Sequence, residues 1–415
     1  DKYYAGFSFR RDGSSRLAPD TRWGNFWAVS ASWRLSQENF MKPWENVVSD
    51  MKLRASYGVN GNLPTGYYGY HGTYTTGAFY NGKPAPWEDA IANPDLTWEK
   101  NYALNLGVDL SLFRRVNLTF DWYTRTTKDL LMSKQLNSIS GFGSILTNVG
   151  EMKNTGFEIE VRSSNIQTKD FSWTTSLNNK NKIVKLADLP EFIDGNYIRK
   201  EGCSYATIYL REYAGVDPND GRPMYYDNKE DENGNRSRNI VYDPNDADRV
   251  ELKDIYPKLT GGLMNTFNYK FIDLSFNLSF HLGGYSYDGA MYALQDDGYT
   301  AQYNKSTELR RRWKQPGDIT DVPRYVYGQE YGGWWNSSRG IHSTDHLRLK
   351  SLIVGVSAPQ SWLRTIGINS ARIYFSGTNL LTWAAYDQYD PELNGIVSYF
   401  TPPLKTFAFG LELKF

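Results

Sequence analysis

Residues 102–123 read YALNLGVDLSLFRRVNLTFDWY, and this stretch decides the fold. Every second residue of its first half is apolar, and the intervening residues are small or polar. This period of two is that of a β-strand with one apolar and one polar face. The alternation resumes at Val116 after the tight connection Arg114-Arg115, so the two runs are predicted to form a hairpin.

Similar alternating segments recur along the chain, for example at 273–282 and 407–415. About twelve of them run from Tyr3 to Phe415, most near the roughly 9 to 11 residues that a tilted membrane strand needs. Two are less regular, because 263–269 places Asn265 on its apolar face and 349–356 needs a bulge near Ser351. The predicted class is all-β, a transmembrane antiparallel β-barrel.

Short and long connections alternate between these segments. The shorter ones are 35–50, 114–115, 164–170, 270–271 and 359–369, and the longer ones are 11–25, 58–101, 128–153, 186–257, 283–346 and 383–405. In an antiparallel meander every second connection falls on the same side, so the long loops are predicted to share one face, as in outer-membrane barrels. A soluble β-sandwich or propeller stays open as an alternative, although long loops on one side disfavour it.

Composition narrows the class further. No run approaches the roughly 18 apolar residues of a membrane-spanning helix, which excludes a helical membrane protein. Lys plus Arg and Asp plus Glu number 46 each, so no global field would attract nucleic acid. The 31 Tyr and 13 Trp suit the aromatic girdles of a membrane barrel or a sugar-stacking surface. A single cysteine, Cys203, excludes an intrachain disulfide within these residues.

Several motifs resemble the SusC/RagA family of TonB-dependent outer-membrane transporters, in family order along essentially the whole chain. They are FRRDGSSR (9–16) with RWG (22–24), LRASYG (53–58) with GN (61–62), YTRTTKDLL (123–131), NVGEMKNTGFE (148–158), LRLKSL (347–352), SGTNL (376–380) and YDPE (389–392). The pair 123–131 and 148–158 is the most diagnostic. One departure is that the strand residues between 173–177 and 181–184 look shortened, which leaves the length of that strand open.

The resemblance implies a plugged barrel of roughly 22 strands, of which residues 1–415 would be the C-terminal portion. The plug and the TonB box would precede Asp1, which is therefore not expected to be the mature N-terminus. The implied function is active import of a bulky nutrient, a glycan or an oligopeptide, across the outer membrane. The implied partners are a SusD-like lid lipoprotein, a TonB-type energy transducer acting on the plug, and outer-membrane lipid, with a dimer of the two-protein complex as a further possibility.

Two other functions stay open. A TonB-dependent receptor for siderophores or cobalamin would share the barrel without a lid lipoprotein, and a passive porin or a soluble β-sandwich adhesin would not use TonB. Neither a nucleophile elbow nor a phosphate loop occurs, so an enzyme is disfavoured. No cofactor is expected.

Long loops carry the candidate contacts with a substrate. Tyr331, Trp334 and Trp335 share the loop 283–346 with Asp296 and Asp297, and this mixture of aromatic rings and carboxylates suits sugars or peptides. Packing between loops is the structural alternative. Further exposed aromatic residues are expected to form an interaction surface on the external side, namely Trp87, Tyr225, Tyr226 and Trp313.

Three other clusters have a plainer interpretation. His342 and His346 have a zinc-like spacing only if a helix holds them, and a loop is favoured by Ser343-Thr344-Asp345. Acidic stretches at 217–221, 227–234 and 243–248 offer calcium ligands, but solvated turns are favoured. Residues 310–313, Arg-Arg-Arg-Trp, could bind an anion, and a solvated loop helix is favoured.

Overall fold

The computed structural model describes residues 1–290, 294–300, 302–328, 337–364, 367–393, 395–397 and 401–415. The strands up to residue 187 are β1 (Tyr3–Gly13), β2 (Trp23–Arg34), β3 (Val48–Asn62), β4 (Thr73–Thr75), β5 (Phe79–Tyr80), β6 (Lys83–Pro84), β7 (Trp87–Ala90), β8 (Glu99–Leu112), β9 (Val116–Lys128), β10 (Leu131–Gln135), β11 (Ser144–Asn148), β12 (Glu151–Gln167) and β13 (Phe171–Ala187).

The strands beyond residue 187 complete the set. They are β14 (Phe192–Asp194), β15 (Tyr197–Arg199), β16 (Thr207–Arg211), β17 (Tyr213–Val216), β18 (Pro223–Tyr226), β19 (Ile240–Val241), β20 (Arg249–Asp254), β21 (Leu259–Tyr269), β22 (Ile272–Leu282), β23 (Tyr285–Asp288), β24 (Ile341–Ser343), β25 (His346–Ser357), β26 (Ser370–Ala384), β27 (Gly395–Val397) and β28 (Thr406–Lys414). The short helices are α1 (Gln360–Leu363) and 3₁₀ turns at Leu35–Gln37, Asn39–Trp44, Ser138–Ser140, Pro244–Asp246, Thr307–Arg311 and Ser338–Gly340. No helix in the described part of the chain is long and apolar enough to cross a membrane.

Twelve of the described strands form one antiparallel sheet, in the order β1-β2-β3-β8-β9-β12-β13-β21-β22-β25-β26-β28. Each of these strands pairs with the next one along the chain once the short loop strands are set aside, which is a meander. This confirms the predicted all-β class and the expected number of long strands. We call this sheet the wall.

The chain divides into two compact units, which are described separately. Unit 1 comprises Asp1–Phe192, Arg199–Tyr205 and Gly261–Lys270. Unit 2 comprises Ile193–Ile198, Ala206–Thr260 and Phe271–Phe415.

In unit 1 the predicted faces of the hairpin β8–β9 are confirmed. Leu106 lies opposite Ala55 of β3 and Trp122 of β9, so an apolar row crosses three strands. Asn105, one position earlier, lies in the opposite face of the same strand. The turn is tight because Phe113 and Arg114 adopt positive φ angles of 53° and 55°.

An arginine cross-links the polar face of these three strands. Arg54 of β3, Gly107 of β8 and Asp121 of β9 lie in one row of the sheet. The guanidinium of Arg54 crosses the glycine and contacts Asp121, with Nη1 and Oδ1 3.0 Å apart, while its Nε lies 2.8 Å from Asp109 Oδ2. A Cβ at Gly107 would come within 2.7 Å of the guanidinium carbon, so glycine leaves the space that this ion pair needs.

Three features of unit 1 that the sequence left irregular or uncertain are Asn265, the length of β13 and the connection 164–170. Asn265 of β21 accepts hydrogen bonds from Trp173 Nε1 at 2.9 Å and Thr175 Oγ1 at 2.7 Å, which satisfies an amide on the face that Phe267 shares. Strand β13 is 17 residues long, so no shortening occurs after Trp173. Strand β12 runs to Gln167 through a bulge after Ser164, so the predicted connection 164–170 was too long.

Unit 2 contains a second arginine–aspartate ion pair that crosses a glycine. Arg372 of β26 reaches across Gly355 of β25 to Asp273 of β22, with Nη2 and Oδ2 2.6 Å apart. The predicted bulge near Ser351 is confirmed, because the registers of β22 and β26 with β25 both skip Lys350.

The long connections of unit 2 are folded into small sheets. Strands β16 and β20 pair, β17-β18-β19 form a second sheet, and β24-β23-β27 form a third. A buried cluster of Ile208, Leu210 and Tyr287 lies among them. Loops with their own apolar core are ordered structure rather than solvated tails. We call these loop sheets and the segments between them the outer layer of unit 2.

Candidate functional site

The predicted mixture of aromatic rings and carboxylates is only partly described. Tyr331, Trp334 and Trp335 lie outside the described residues. Asp296 and Asp297 are described, and each is only 2% exposed. The structure therefore places both carboxylates inside the outer layer and not on its surface.

Asp296 is held by donors from its own loop. Its carboxylate accepts hydrogen bonds from the backbone N–H of Thr300 at 2.7 Å and of Gly298 at 3.2 Å, and from Lys305 Nζ at 2.7 Å. Burial opposes its ionisation, but the donors from Lys305 and Thr300 outweigh burial and lower the pKa of Asp296. The charged carboxylate thus closes a tight turn.

Asp297 forms a bidentate ion pair with Arg339, 42 residues away. The distances are 2.5 Å from Nη1 to Oδ2 and 3.1 Å from Nη2 to Oδ1, with 6% and 2% of the side chains of Arg339 and Asp297 exposed. Burial raises the pKa of Asp297, and the guanidinium opposes that rise. Tyr213 covers the arginine, with its ring centroid 5.9 Å from Cζ, and burial raises the pKa of this tyrosine. The pair anchors the loop, and direct contact of either aspartate with a substrate stays a prediction.

A second anchor within the outer layer consists of the stacked side-chain rings of His342 and Tyr386. His342 stacks on Tyr386 with centroids 3.7 Å apart and an angle of 3° between the planes. The hydroxyl of Tyr386 donates to Asp288 at 3.0 Å, and Tyr389 hydrogen-bonds Ser286 of the same strand, β23. Burial lowers the pKa of His342 to about 4, with the positive charge of Arg339 adding to the effect. The stack therefore contains a neutral imidazole at neutral pH.

The histidine spacing does not form a helical metal site. His342 lies in β24 and His346 begins β25, so the predicted absence of a helix is confirmed. Within the ranges that the structure describes, no group of three or more His, Cys, Asp or Glu side chains is placed to hold a metal ion.

The acidic stretches use their carboxylates in turns. Asp217 accepts hydrogen bonds from Tyr242 at 2.6 Å and from the backbone of Asn219 at 2.8 Å, and these lower its pKa. Asp231 accepts in the same way from the backbone of Asn233 and Asn235, both at 2.8 Å. Such side-chain turns are the favoured interpretation, and calcium binding stays an untested prediction.

The arginine run lies on a solvated loop helix, as predicted. Residues Thr307–Arg311 form a 3₁₀ turn capped by Ser306, whose hydroxyl accepts from the N–H of Glu308. Arg311 pairs with Glu308 at 2.5 Å and with Asp321 at 3.5 Å, and its side chain is largely exposed. Its charge is balanced within the loop.

The exposed aromatic surface expected from the sequence is smaller than predicted. Tyr225 is fully buried, in contact with Tyr213, and Trp313 donates from Nε1 to the carbonyl of Pro218 at 3.1 Å. Tyr226 lies beneath the guanidinium of Arg238, 3.8 Å from its ring centroid. These rings pack loops together, which is the structural alternative.

Unit 1 does present exposed rings. Strands β4 to β7 pair as two-stranded ribbons, and the exposed side chains there are Tyr74, Phe79, Tyr80 and Trp87. Trp87, predicted to be external, is 58% exposed. Contiguous exposed aromatic residues commonly mark an interaction surface. We call this set the aromatic ribbon.

A buried arginine joins the last long loop to the wall in unit 2. Arg348 of β25 contacts Asp390 at 2.6 Å and Glu392 at 3.2 Å, and Lys350 Nζ contacts the same glutamate at 2.6 Å. Only 2% of the Arg348 side chain is exposed, and its Nε has no hydrogen-bond partner among the described residues. The segment around Asp390 is thereby fixed against β25.

A cavity of about 480 Å³ opens beside this anchor, within unit 2. Its described lining is Asp288, Ala290, Leu294, Gln295, Ser306, Arg348, Asn379, Thr382, Ala384, Asp387, Gln388, Tyr389, Asp390, Pro391, Pro402, Pro403 and Lys405. Sequence reasoning missed this site, because its residues come from segments far apart in the chain. The motifs at 347–352 and 389–392 were the available signal, since the first supplies the arginine and the second its carboxylate partners.

Comparison with known proteins finds similar sequences among TonB-dependent receptors. A family model described as TonB dependent receptor-like, beta-barrel matches residues 1–192. The chain is 32% identical to TonB-dependent receptor P3 of Formosa agariphila, over 100% of this chain and 44% of that protein. It is 29% identical to TonB-dependent receptor SusC of Bacteroides thetaiotaomicron, over 100% of this chain and 42% of that protein.

A solved structure is similar over the same extent. The match is to the RagAB peptide transporter, with a TM-score of 0.87 and 28% identity, covering 99% of this chain and 46% of that one. The chain spans less than half the length of the curated relatives it matches.

Proposed function

We propose that this chain is part of a TonB-dependent receptor of the SusC/RagA type, a β-barrel protein of the bacterial outer membrane, and that it serves the active import of a bulky nutrient. The cargo is a glycan or an oligopeptide. The chain contributes wall strands and the outer loops that meet the cargo. The single observation that carries the proposal is the similarity to SusC and to the RagAB peptide transporter along essentially the whole chain.

The architecture of the outer layer supports a cargo-handling role. The long connections of unit 2 form packed sheets and contain a buried ion pair, Asp297–Arg339. Buried charges cost several kcal/mol unless they are paired, so such loops are built to hold one shape. A fixed outer surface suits recognition of a particular cargo.

The similarity to this family also suggests the energy source for import and the partner protein. A TonB-type transducer supplies the energy, acting on a plug, and a SusD-like lipoprotein covers the outer loops as a lid. The two-protein complex forms a dimer in this proposal. The aromatic ribbon of unit 1 suits the lid contact, because Tyr74, Phe79, Tyr80 and Trp87 are exposed and aromatic residues are enriched at interfaces. We further propose that the chain is no enzyme and needs no cofactor.

Co-purification and uptake test this proposal together. Mild detergent extraction of native membranes should recover the full-length barrel with a lipoprotein at near-equal stoichiometry. The double change Tyr80→Ala and Trp87→Ala should weaken this pair, while Ile139→Ala, at an exposed residue outside the aromatic ribbon, should not.

Two outcomes would contradict it. If the barrel purifies alone under gentle conditions and still imports normally without any lipoprotein, the proposal of a lid lipoprotein is wrong. If the cells instead import a ferric siderophore through this protein and neither glycan nor peptide, the siderophore-receptor alternative is correct.

A further inference from the structure

The cavity of unit 2 has a rigid frame. Arg348, with its partners Asp390 and Glu392, fixes one side, and the hydrogen bond between Tyr389 and Ser286 fixes another. Pro391, Pro402 and Pro403 of the lining have fixed backbone φ angles. A site that is shaped before the ligand arrives loses less entropy on binding.

Two opposite charges on this frame have no ion-pair partner among the described residues. Asp387 and Lys405 both line the cavity and are exposed, and neither forms an ion pair within the part of the chain that the structure describes. Asp387 accepts a hydrogen bond from the side-chain amide of Gln388 at 2.9 Å, which leaves further acceptor positions on the carboxylate. By contrast, the charges of Arg348 and Asp390 neutralise each other.

The rest of the lining favours peptide over sugar. Sugars stack on exposed aromatic faces, but Tyr389 is the one aromatic residue of the described lining. Its hydroxyl is bonded to Ser286, and its ring packs edge-on against Tyr386 with centroids 5.1 Å apart. Aliphatic contacts come from Leu294, Ala384 and the prolines, which suit the side chains of a peptide.

We propose that this cavity is a subsite for a short oligopeptide whose ammonium group pairs with Asp387 and whose carboxylate pairs with Lys405. The inference rests on the proposed function and narrows its cargo class. The volume of about 480 Å³ lies within the roughly 300–1,000 Å³ of small-ligand sites. The side-chain amide nitrogens of Gln388 and Asn379 donate to Asp387 and to the carbonyl of Leu404, and their carbonyl oxygens can accept hydrogen bonds from peptide N–H groups.

Calorimetric titration of the full-length transporter, purified with any lipoprotein that accompanies it, tests the proposal with tetraalanine as the probe. Asp387→Asn and Lys405→Gln should each weaken tetraalanine binding about three- to tenfold, the range expected for one partly exposed charge contact. The matched controls Asp246→Asn and Lys229→Gln change exposed charges of unit 2 away from the cavity and should leave the affinity unchanged.

Capping the probe identifies which charge meets which group. N-acetyl-tetraalanine should bind the unchanged protein more weakly and lose its sensitivity to Asp387→Asn while keeping its sensitivity to Lys405→Gln. Tetraalanine amide should show the reverse pattern.

The result that overturns the proposal is an affinity for tetraalanine that neither variant changes, or no binding of tetraalanine at all. Maltotetraose binding that depends on the same two residues would assign the cavity to glycans instead. Either failure leaves the proposed import function standing if the cells still take up cargo in a TonB-dependent way, so the two claims fail separately.

Discussion

The wall of unit 1 and the outer layer of unit 2 both contain arginine–aspartate pairs, but the pairs are built differently. Arg54 and Asp109 come from neighbouring strands, and their side chains are 30% and 38% exposed. Asp297 and Arg339 are 42 residues apart and almost fully buried. The wall pair is one of many contacts in a long hydrogen-bonded sheet, whereas the loop pair holds irregular segments that have few other constraints.

This difference indicates where each region is vulnerable. An exposed ion pair contributes about 0–1 kcal/mol, and its loss leaves solvated charges. A buried pair that loses one partner leaves an uncompensated charge, at a cost of about 3–5 kcal/mol. The outer layer should therefore be sensitive to single changes that the wall tolerates.

The largest effect is expected for Arg339→Met. It should destabilise the outer layer by about 3–5 kcal/mol, because Asp297 stays buried without its partner. Limited proteolysis of the full-length protein should then cut within 283–345 while the wall stays intact. The double variant with Asp297→Leu should recover part of the protection, and equal resistance of Arg339→Met and the unchanged protein would contradict the account.

The next effect concerns the wall itself. Leu106→Arg should reduce barrel assembly far more than Asn105→Arg, since arginine on the lipid face costs about 2–4 kcal/mol at the middle of the bilayer. The yield of folded barrel in outer membranes, measured by heat-modifiable gel mobility, checks this. Equal yields for the two variants would show that the faces are assigned the wrong way round.

Acid should loosen the outer layer through His342. Its pKa in the folded protein, about 4, is below the usual 6.5, so the folded state favours the neutral ring. The stabilisation is complete above pH 6.5, declines as the pH falls below that value, and is lost as the pH falls through 4. At roughly 1.4 kcal/mol per pH unit, the folded state has lost about 2 kcal/mol of stability by pH 5. Proteolysis of the 341–343 region should rise between pH 7 and pH 5, and His342→Phe should remove that step.

The smallest effect is expected for Arg54→Met. Because the side chain of Asp109 is 38% exposed and can be solvated after its loss, while that of Asp121 is 19% exposed, the barrel should lose about 1 kcal/mol of stability, less than is lost in Arg339→Met. Urea titration of the refolded barrel measures this value. A loss as large as that of Arg339→Met would abolish the distinction between the two regions.

Sequence reasoning predicted the strands of the wall but not the long-range contacts of the outer layer, and the reason is physical. The period of two is local, so the hairpin β8–β9, the bulge at Lys350 and the exceptional position of Asn265 could all be predicted from neighbouring residues. The partner of Asp297 lies 42 residues away in an irregular loop, and no local pattern encodes that contact. The same reason explains why Tyr225 was expected outside and is buried.

The candidate functional site contains residues that the sequence analysis singled out and residues that it missed. Asp296 and Asp297 were singled out for their chemistry, but the structure uses that chemistry to anchor loops. Asp387 and Lys405 carried no motif and became visible only when the fold placed both of them in the lining of one cavity with Arg348 of β25. Charge in a loop sequence does not reveal whether it is paired.

The claim that the outer layer of unit 2 performs the import function is tested most directly by uptake per surface molecule in cells that carry the full-length Arg339→Met variant. The account predicts a normal amount of folded barrel at the cell surface and strongly reduced uptake of cargo, with partial recovery in the Asp297→Leu double variant. Uptake per molecule equal to that of the unchanged protein, despite a proteolytically open outer layer, would contradict it.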